Sequence, residues 1–112
     1  WVRDRRRPPA LAEEALLSEP EIARLAEETR DMPLAFFLGR GADAAIAYEA
    51  ALKLKEVAYV PTQEAPAGEM KHGPLALVEK GVVAVFGATE SGVLDKTASN
   101  MQEVRARAGT VV

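Results

Sequence analysis

Glu49, Lys53 and Glu56 recur at four- and three-residue spacing inside Asp43–Tyr59, a run rich in helix formers. At 100° per residue the three share a stripe roughly 60° wide. Two carboxylates flanking an ammonium can form a surface ion ladder, worth about 0.2–0.5 kcal/mol per pair. The same set can instead hold a carboxylate beside a cation, ready to accept and return a proton. Apolar residues border the stripe, with Ile46, Ala50, Leu54 and Val57 on one side and Tyr48, Leu52 and Tyr59 on the other. A helix apolar on both flanks is expected to be well covered, so the stripe is either a narrow exposed ridge or the wall of a cleft.

A second constellation is Lys71-His72-Gly73-Pro74. Cations followed by Gly and Pro form a common helix stop. Alternatively His72, the sole histidine, is a general acid or base. One histidine and no cysteine exclude a histidine metal cluster, a Cys-ligated zinc, a thiol nucleophile and a redox switch within the chain. They also argue against a nucleophilic triad. A third candidate is Gly39-x-Gly41-x-x-Ala44, a degenerate dinucleotide fingerprint with Glu64 as the ribose-binding acid. Two glycines after a strand serve equally to turn the chain tightly into a helix. Thr89 and Ser91 are open in the same way, between holding a phosphate and capping a helix.

These residues need elements to position them. Leu34–Leu38 and Val82–Phe86 are continuous apolar runs, as in strands buried on both faces of a parallel sheet. Helical stretches follow each, and in the second Leu94, Ala98, Met101 and Val104 share a face, with Gly109 as its C-terminal cap. Thr110-Val111-Val112 begins another strand. The alternation specifies an α/β fold with right-handed crossovers. Val60–Lys80, punctuated by Pro61, Pro66, Gly68, Gly73 and Pro74, is neither plainly strand nor helix and is expected to be functional or interfacial. Ahead of it, Ala10–Leu17 and Glu21–Arg30 are expected helices, the second opened by a Ser18/Glu21 capping box, with Pro8-Pro9 separating off the basic start. The expected organisation is a basic start and helical lead-in over 1–32 and a domain over 33–112.

The chain has 112 residues, 48% hydrophobic and 28% charged, which suits one small globular domain rather than a disordered or fibrous chain. A net charge of -3 argues against nucleic acid as the main partner. No apolar run approaches the roughly 18 residues of a membrane span. The basic Trp1–Arg7 is not followed by the apolar stretch of a secretory signal, so a cytoplasmic location is expected. Opening on Trp1 and stopping at the start of a strand suggest a fragment.

Three segments in order, Phe37-Leu38-Gly39-Arg40-Gly41, Glu49–Glu56 (EAALKLKE) and Gly68–Leu77 (GEMKHGPLAL), give the chain a resemblance. It resembles the second sugar-isomerase (SIS) half of the glutamine:fructose-6-phosphate aminotransferases, the glucosamine-6-phosphate synthases. The resemblance implies a flavodoxin-like three-layer sandwich on a mostly parallel sheet, cut short at its C-terminal end. It implies Glu56 as the base that moves a proton between C1 and C2 of the sugar phosphate, and Lys53 as its assistant. His72 would open the sugar ring and reach the active site of the neighbouring subunit of a homodimer. Arg40, Lys71 and Gln63 are the expected substrate-binding residues, Gln63 standing where the family has Glu, and Ala45 where it has Pro. The implied reaction converts fructose 6-phosphate and ammonia from glutamine to glucosamine 6-phosphate with no metal or cofactor. The preceding SIS half, the glutaminase domain and the C-terminal Schiff-base lysine of the family are absent, so the chain alone is expected to be inactive. The alternative is a non-catalytic SIS module that senses a sugar phosphate, and such a sensor has no need of the Lys53–Glu56–His72 set.

Overall fold

A computed structural model describes residues 7–89 and 91–112; most of the basic start, Trp1–Arg6, and Glu90 of the Thr89–Gly92 turn lie outside them. The chain divides into two compact units at Asp31/Met32. The first contains α1 (Arg7–Leu16) and α2 (Glu19–Glu28). Pro8 and Pro9 lie in the first turn of α1 rather than before it, because a first-turn residue has no intrahelical N–H bond to lose. The capping box does not form. Ser18 keeps helical dihedrals (φ −81°, ψ −4°) and makes no side-chain cap bond, since the backbone N–H of Ser18 is still bonded to Ala15 in the turn leaving α1. A cap needs extended backbone there. Arg24 pairs with Glu28, and Arg30 with Glu27 at 2.7 Å, on exposed helix surface.

The second unit is built on four parallel strands, β1 (Ala35–Gly39), β2 (Thr62–Pro66), β3 (Val83–Phe86) and β4 (Thr110–Val111), in the order β2-β1-β3-β4. That is a flavodoxin-like arrangement. The continuous apolar run becomes the central strand, and alternation sends its side chains to two cores. Phe36 and Leu38 pack with Met70, Ala84, Phe86 and Val104 on the face covered by α4 (Leu94–Arg105). Ala35 and Phe37 pack with Ala47 and Ala51 on the face covered by α3 (Ala42–Ala58). β2 lies inside the segment read as irregular. Its sequence, Thr-Gln-Glu-Ala-Pro, has little strand propensity, and it forms as an edge strand through backbone pairing with β1 from Ala35↔Thr62 to Gly39↔Pro66.

Two glycine positions decide local geometry. A Cβ on Gly39 would lie 2.4 Å from the Asp43 carbonyl carbon and 2.5 Å from its oxygen, so only glycine lets α3 start this close to the end of β1. Gly39→Ala is expected to destabilise the fold by about 1–3 kcal/mol, read as a lower urea midpoint; an unchanged midpoint would show that the turn relaxes freely. Gly109 is not the left-handed cap of α4. Ala108 takes that conformation (φ 62°), and Gly109 is needed because its Cβ would meet Val104 and Val78 methyls at 2.8 Å. The buried face of α4 is also turned from the expected one. Thr97, Asn100 and Val104 are buried while Leu94 is exposed, because the two polar groups find partners there.

Candidate functional site

Helical spacing on α3 brings Lys53 between its two carboxylates. Its Nζ donates to Glu56 Oε2 at 2.9 Å and stands 3.6 Å from Glu49 Oε1. The hydrogen bond and charge of Glu56, with the charge of Glu49, hold the Lys53 ammonium above the usual lysine value. A raised value adds stability that is complete below the ordinary lysine pKa and is lost as pH rises through the raised one, so Lys53 stays charged at neutral pH. Lys53 is therefore a cation here, placed between two carboxylates. Glu56→Gln is expected to bring the Lys53 titration back toward the ordinary value, followed by side-chain nitrogen NMR; no movement would contradict this coupling.

The stripe is an exposed ridge, and its flanks are not covered as the apolar pattern suggests. Ile46, Tyr48, Leu52, Val57 and Tyr59 are all exposed, and only Asp43, Ala47 and Ala51 of α3 are buried. An apolar rim around a charged stripe is the pattern of a surface built to meet another surface.

The strand order reverses between β1 and β3, which makes their carboxyl ends the topological switch point. There the buried Asp43 carboxylate, in the first turn of α3, accepts hydrogen bonds from the Thr89 amide at 2.8 Å and from the Thr89 hydroxyl. Thr89 thus gives its amide and hydroxyl to the Asp43 carboxylate rather than to a phosphate or a helix cap, and Ser91 opens a short 3₁₀ turn, Ser91–Val93, before α4. The dinucleotide reading of Gly39–Ala44 fails on the same geometry. A negatively charged side chain, Asp43, stands in the first turn of α3 where a pyrophosphate would have to approach, and Glu64, the supposed ribose acid, is paired with Lys55 at 3.0 Å. Gly41, with φ 59°, makes the turn from β1 into α3.

After β2 the chain enters a 3₁₀ segment, Ala67–His72, with Met70 fully buried beneath it and Lys71 and His72 exposed at its end. A second short turn, Pro74–Leu77, follows Gly73 (φ 146°). The cations that read as a helix stop do end a helical segment, though a 3₁₀ one. His72 lies beyond the carboxyl end of β2. Glu56 lies far down α3, about 20 Å from its start at 1.5 Å per residue, and so toward the amino ends of the strands. Within one chain the structure joins Lys53 with Glu56 and keeps His72 apart. Arg40 donates through Nε (3.2 Å) and Nη2 (2.9 Å) to Asn100 Oδ1, and Lys71 pairs with Glu103 at 3.0 Å. Gln63 is exposed on the edge strand β2. Sequence reasoning missed Asp43, Asn100 and Glu103. The available signal was Thr97 and Asn100, polar residues one turn apart on the face that also carries Met101 and Val104.

Residues 30–112 match the SIS domain. The chain belongs to the SIS domain family. It is 48% identical over 111 residues to the glutamine–fructose-6-phosphate aminotransferase (isomerizing) of Thermus thermophilus and 46% identical to that of Pseudomonas putida. The match takes in 99% of this chain and 18% of each relative, so this SIS chain spans less than a fifth of their length. The C-terminal domain of glucosamine-fructose-6-phosphate aminotransferase from Francisella tularensis superposes with a TM-score of 0.87 at 47% identity, covering 91% of this chain and 29% of that one. A glucosamine-6-phosphate deaminase from Thermotoga maritima superposes with a TM-score of 0.69 at 26% identity over 75% of this chain and 26% of its own. The all-parallel sheet and its strand order are thus those of an SIS domain. No helix among the described residues is long and apolar enough to cross a membrane.

Proposed function

We propose that this SIS chain is the part of a glutamine–fructose-6-phosphate aminotransferase that carries the isomerising base. The observation behind the proposal is the Lys53–Glu56 contact at 2.9 Å on an exposed helix face, in a chain 48% identical to such an enzyme. Ketose-to-aldose conversion needs one group that takes a proton from C1 and returns it to C2. In the proposed sequence ammonia, released from glutamine, first condenses with the C2 ketone and water leaves. Glu56 then removes a C1 proton; the C–H pair forms the C1–C2 double bond as the C2–N π pair moves to the nitrogen, which takes up a proton. The C1 hydroxyl next gives up its proton, so that its oxygen forms the C1 carbonyl while the C1–C2 π pair takes the proton back from the same carboxyl at C2. The product is the 2-amino aldose phosphate, glucosamine 6-phosphate. Lys53, held cationic by its neighbours, stabilises the negative charge that builds on the C1 oxygen as the C1 hydroxyl gives up its proton.

His72 opens the sugar ring by transferring a proton between the ring oxygen and the C2 hydroxyl. Its separation from Glu56 along the sheet supports action on the Glu56 centre of a second copy, in a homodimer. Arg40, Lys71 and Gln63 are the proposed contributors to substrate binding. Arg40 and Lys71 have further N–H groups beyond those given to Asn100 and Glu103. The exposed apolar rim of α3 is the surface on which the other SIS half closes the site, with a glutaminase domain supplying ammonia. This reading carries a cytoplasmic location, and it makes the chain alone inactive.

The test is the full protein given fructose 6-phosphate and glutamine, with glucosamine 6-phosphate measured directly. Formation of the amino sugar is the expected result. Binding of fructose 6-phosphate without turnover would overturn the proposal in favour of a sugar-phosphate sensor built on the same fold.

A further inference from the structure

We propose that Asn100 is a positioning residue for His72, acting through a polar strut that runs Arg40–Asn100–Glu103–Lys71. This assignment deepens the functional reading above and rests on His72 being the ring-opening group. Asn100 is 4% exposed, a buried polar side chain in the middle of α4 where an apolar one would ordinarily pack. Its Oδ1 accepts both Arg40 hydrogen bonds, at 3.2 and 2.9 Å, and its Nδ2 donates to Glu103 Oε2 at 3.5 Å. The other Glu103 oxygen holds Lys71 Nζ at 3.0 Å.

The strut grips the 3₁₀ segment Ala67–His72 near both ends. At the far end is Lys71, the residue before His72. At the near end Gly68 lies under the Arg40 guanidinium, where a Cβ would stand 3.2 Å from Nη1. Glycine here leaves room for the guanidinium to lie against the backbone. Met70 and Ala67 anchor the segment from below in the core. Apolar burial fixes how deep the segment sits, whereas the strut fixes its position along α4. His72 follows directly, before a glycine at φ 146° that gives no support from the other side. With Asn100 removed, Arg40 loses its acceptor and Glu103 its link to the sheet end, so His72 loses its lateral reference.

The experiment compares two substrates on the full protein, with amino-sugar formation measured for each. Fructose 6-phosphate must be opened before it reacts. 5-Deoxyfructose 6-phosphate has no C5 hydroxyl to close a furanose ring and is permanently open. Asn100→Ala is expected to lower kcat/KM for fructose 6-phosphate about 10-fold and to leave the open-chain substrate within about 2-fold. Should Asn100→Ala not fold, Glu103→Gln, which releases Lys71 without touching the core, carries the comparison. Equal losses on both substrates, or no loss on either, would overturn the positioning role. A wild-type protein that converts neither sugar would instead overturn the functional reading beneath it.

Discussion

Glu56→Gln in the full protein is expected to lower amino-sugar formation by about 10²–10⁴-fold while glutamine hydrolysis continues. The size follows from what the substitution removes. Glutamine keeps the shape of the side chain and an oxygen to accept the Lys53 hydrogen bond, but it has no basicity with which to take a proton from carbon. General-base catalysis contributes typically 10²–10⁴-fold, and Glu56, in direct contact with Lys53 at 2.9 Å, is the carboxylate proposed for the role, while Glu49 stands at 3.6 Å. The paired assay of glucosamine 6-phosphate and glutamate separates this from general damage, because a misfolded protein loses both. Unimpaired amino-sugar formation would remove Glu56 from the mechanism.

The largest expected effect on stability is that of Phe36→Ala. Phe36 is fully buried on the central strand and packs within the core shared by Leu38, Met70, Ala84, Phe86 and Val104. Truncating a buried Phe costs about 3–5 kcal/mol through lost transfer energy and the cavity left behind. A small domain holds only about 5–15 kcal/mol in total, so most of its margin is lost. Urea unfolding followed by circular dichroism should show the midpoint falling with the slope unchanged. A loss below about 1 kcal/mol would mean that the helices collapse into the cavity. The same core seats Met70 under the His72 segment, so activity should fall with stability.

What was legible in the sequence follows from where the controlling forces act. β1 and β3 are continuous apolar runs because both faces of a parallel strand are buried, and that requirement is written residue by residue. The Lys53–Glu56 contact is set by helical spacing alone. β2 was hidden because its order comes from the backbone groups of β1, not from Thr62–Pro66 themselves. The strut was hidden too, since Arg40 and Asn100 are sixty residues apart and only the fold brings them together. The Ser18 capping box was legible as a pattern and did not form, because the preceding turn fixed the backbone of Ser18 first. The pattern on α3 identifies apolar flanks but carries no record of what covers them. The resemblance to the aminotransferases supplied roles that spacing could not: a ladder of Glu, Lys and Glu is an ordinary surface feature until the whole set, with Lys71-His72-Gly73-Pro74, is seen in order.

The central claim, that Glu56 moves the proton between C1 and C2, is tested most directly by isotope exchange. A carboxyl that holds the substrate proton during transfer exchanges part of it with solvent. The full protein is incubated with fructose 6-phosphate and glutamine in deuterium oxide, and the glucosamine 6-phosphate is analysed by mass spectrometry and proton NMR. The expected result is solvent deuterium at C2 from the wild-type protein. With Glu56→Gln, the residual product should carry solvent deuterium at C2 in full, because no single group carries the C1 proton across, whereas the wild-type product keeps part of its C1 proton there. Equal deuterium at C2 from both proteins would contradict the account.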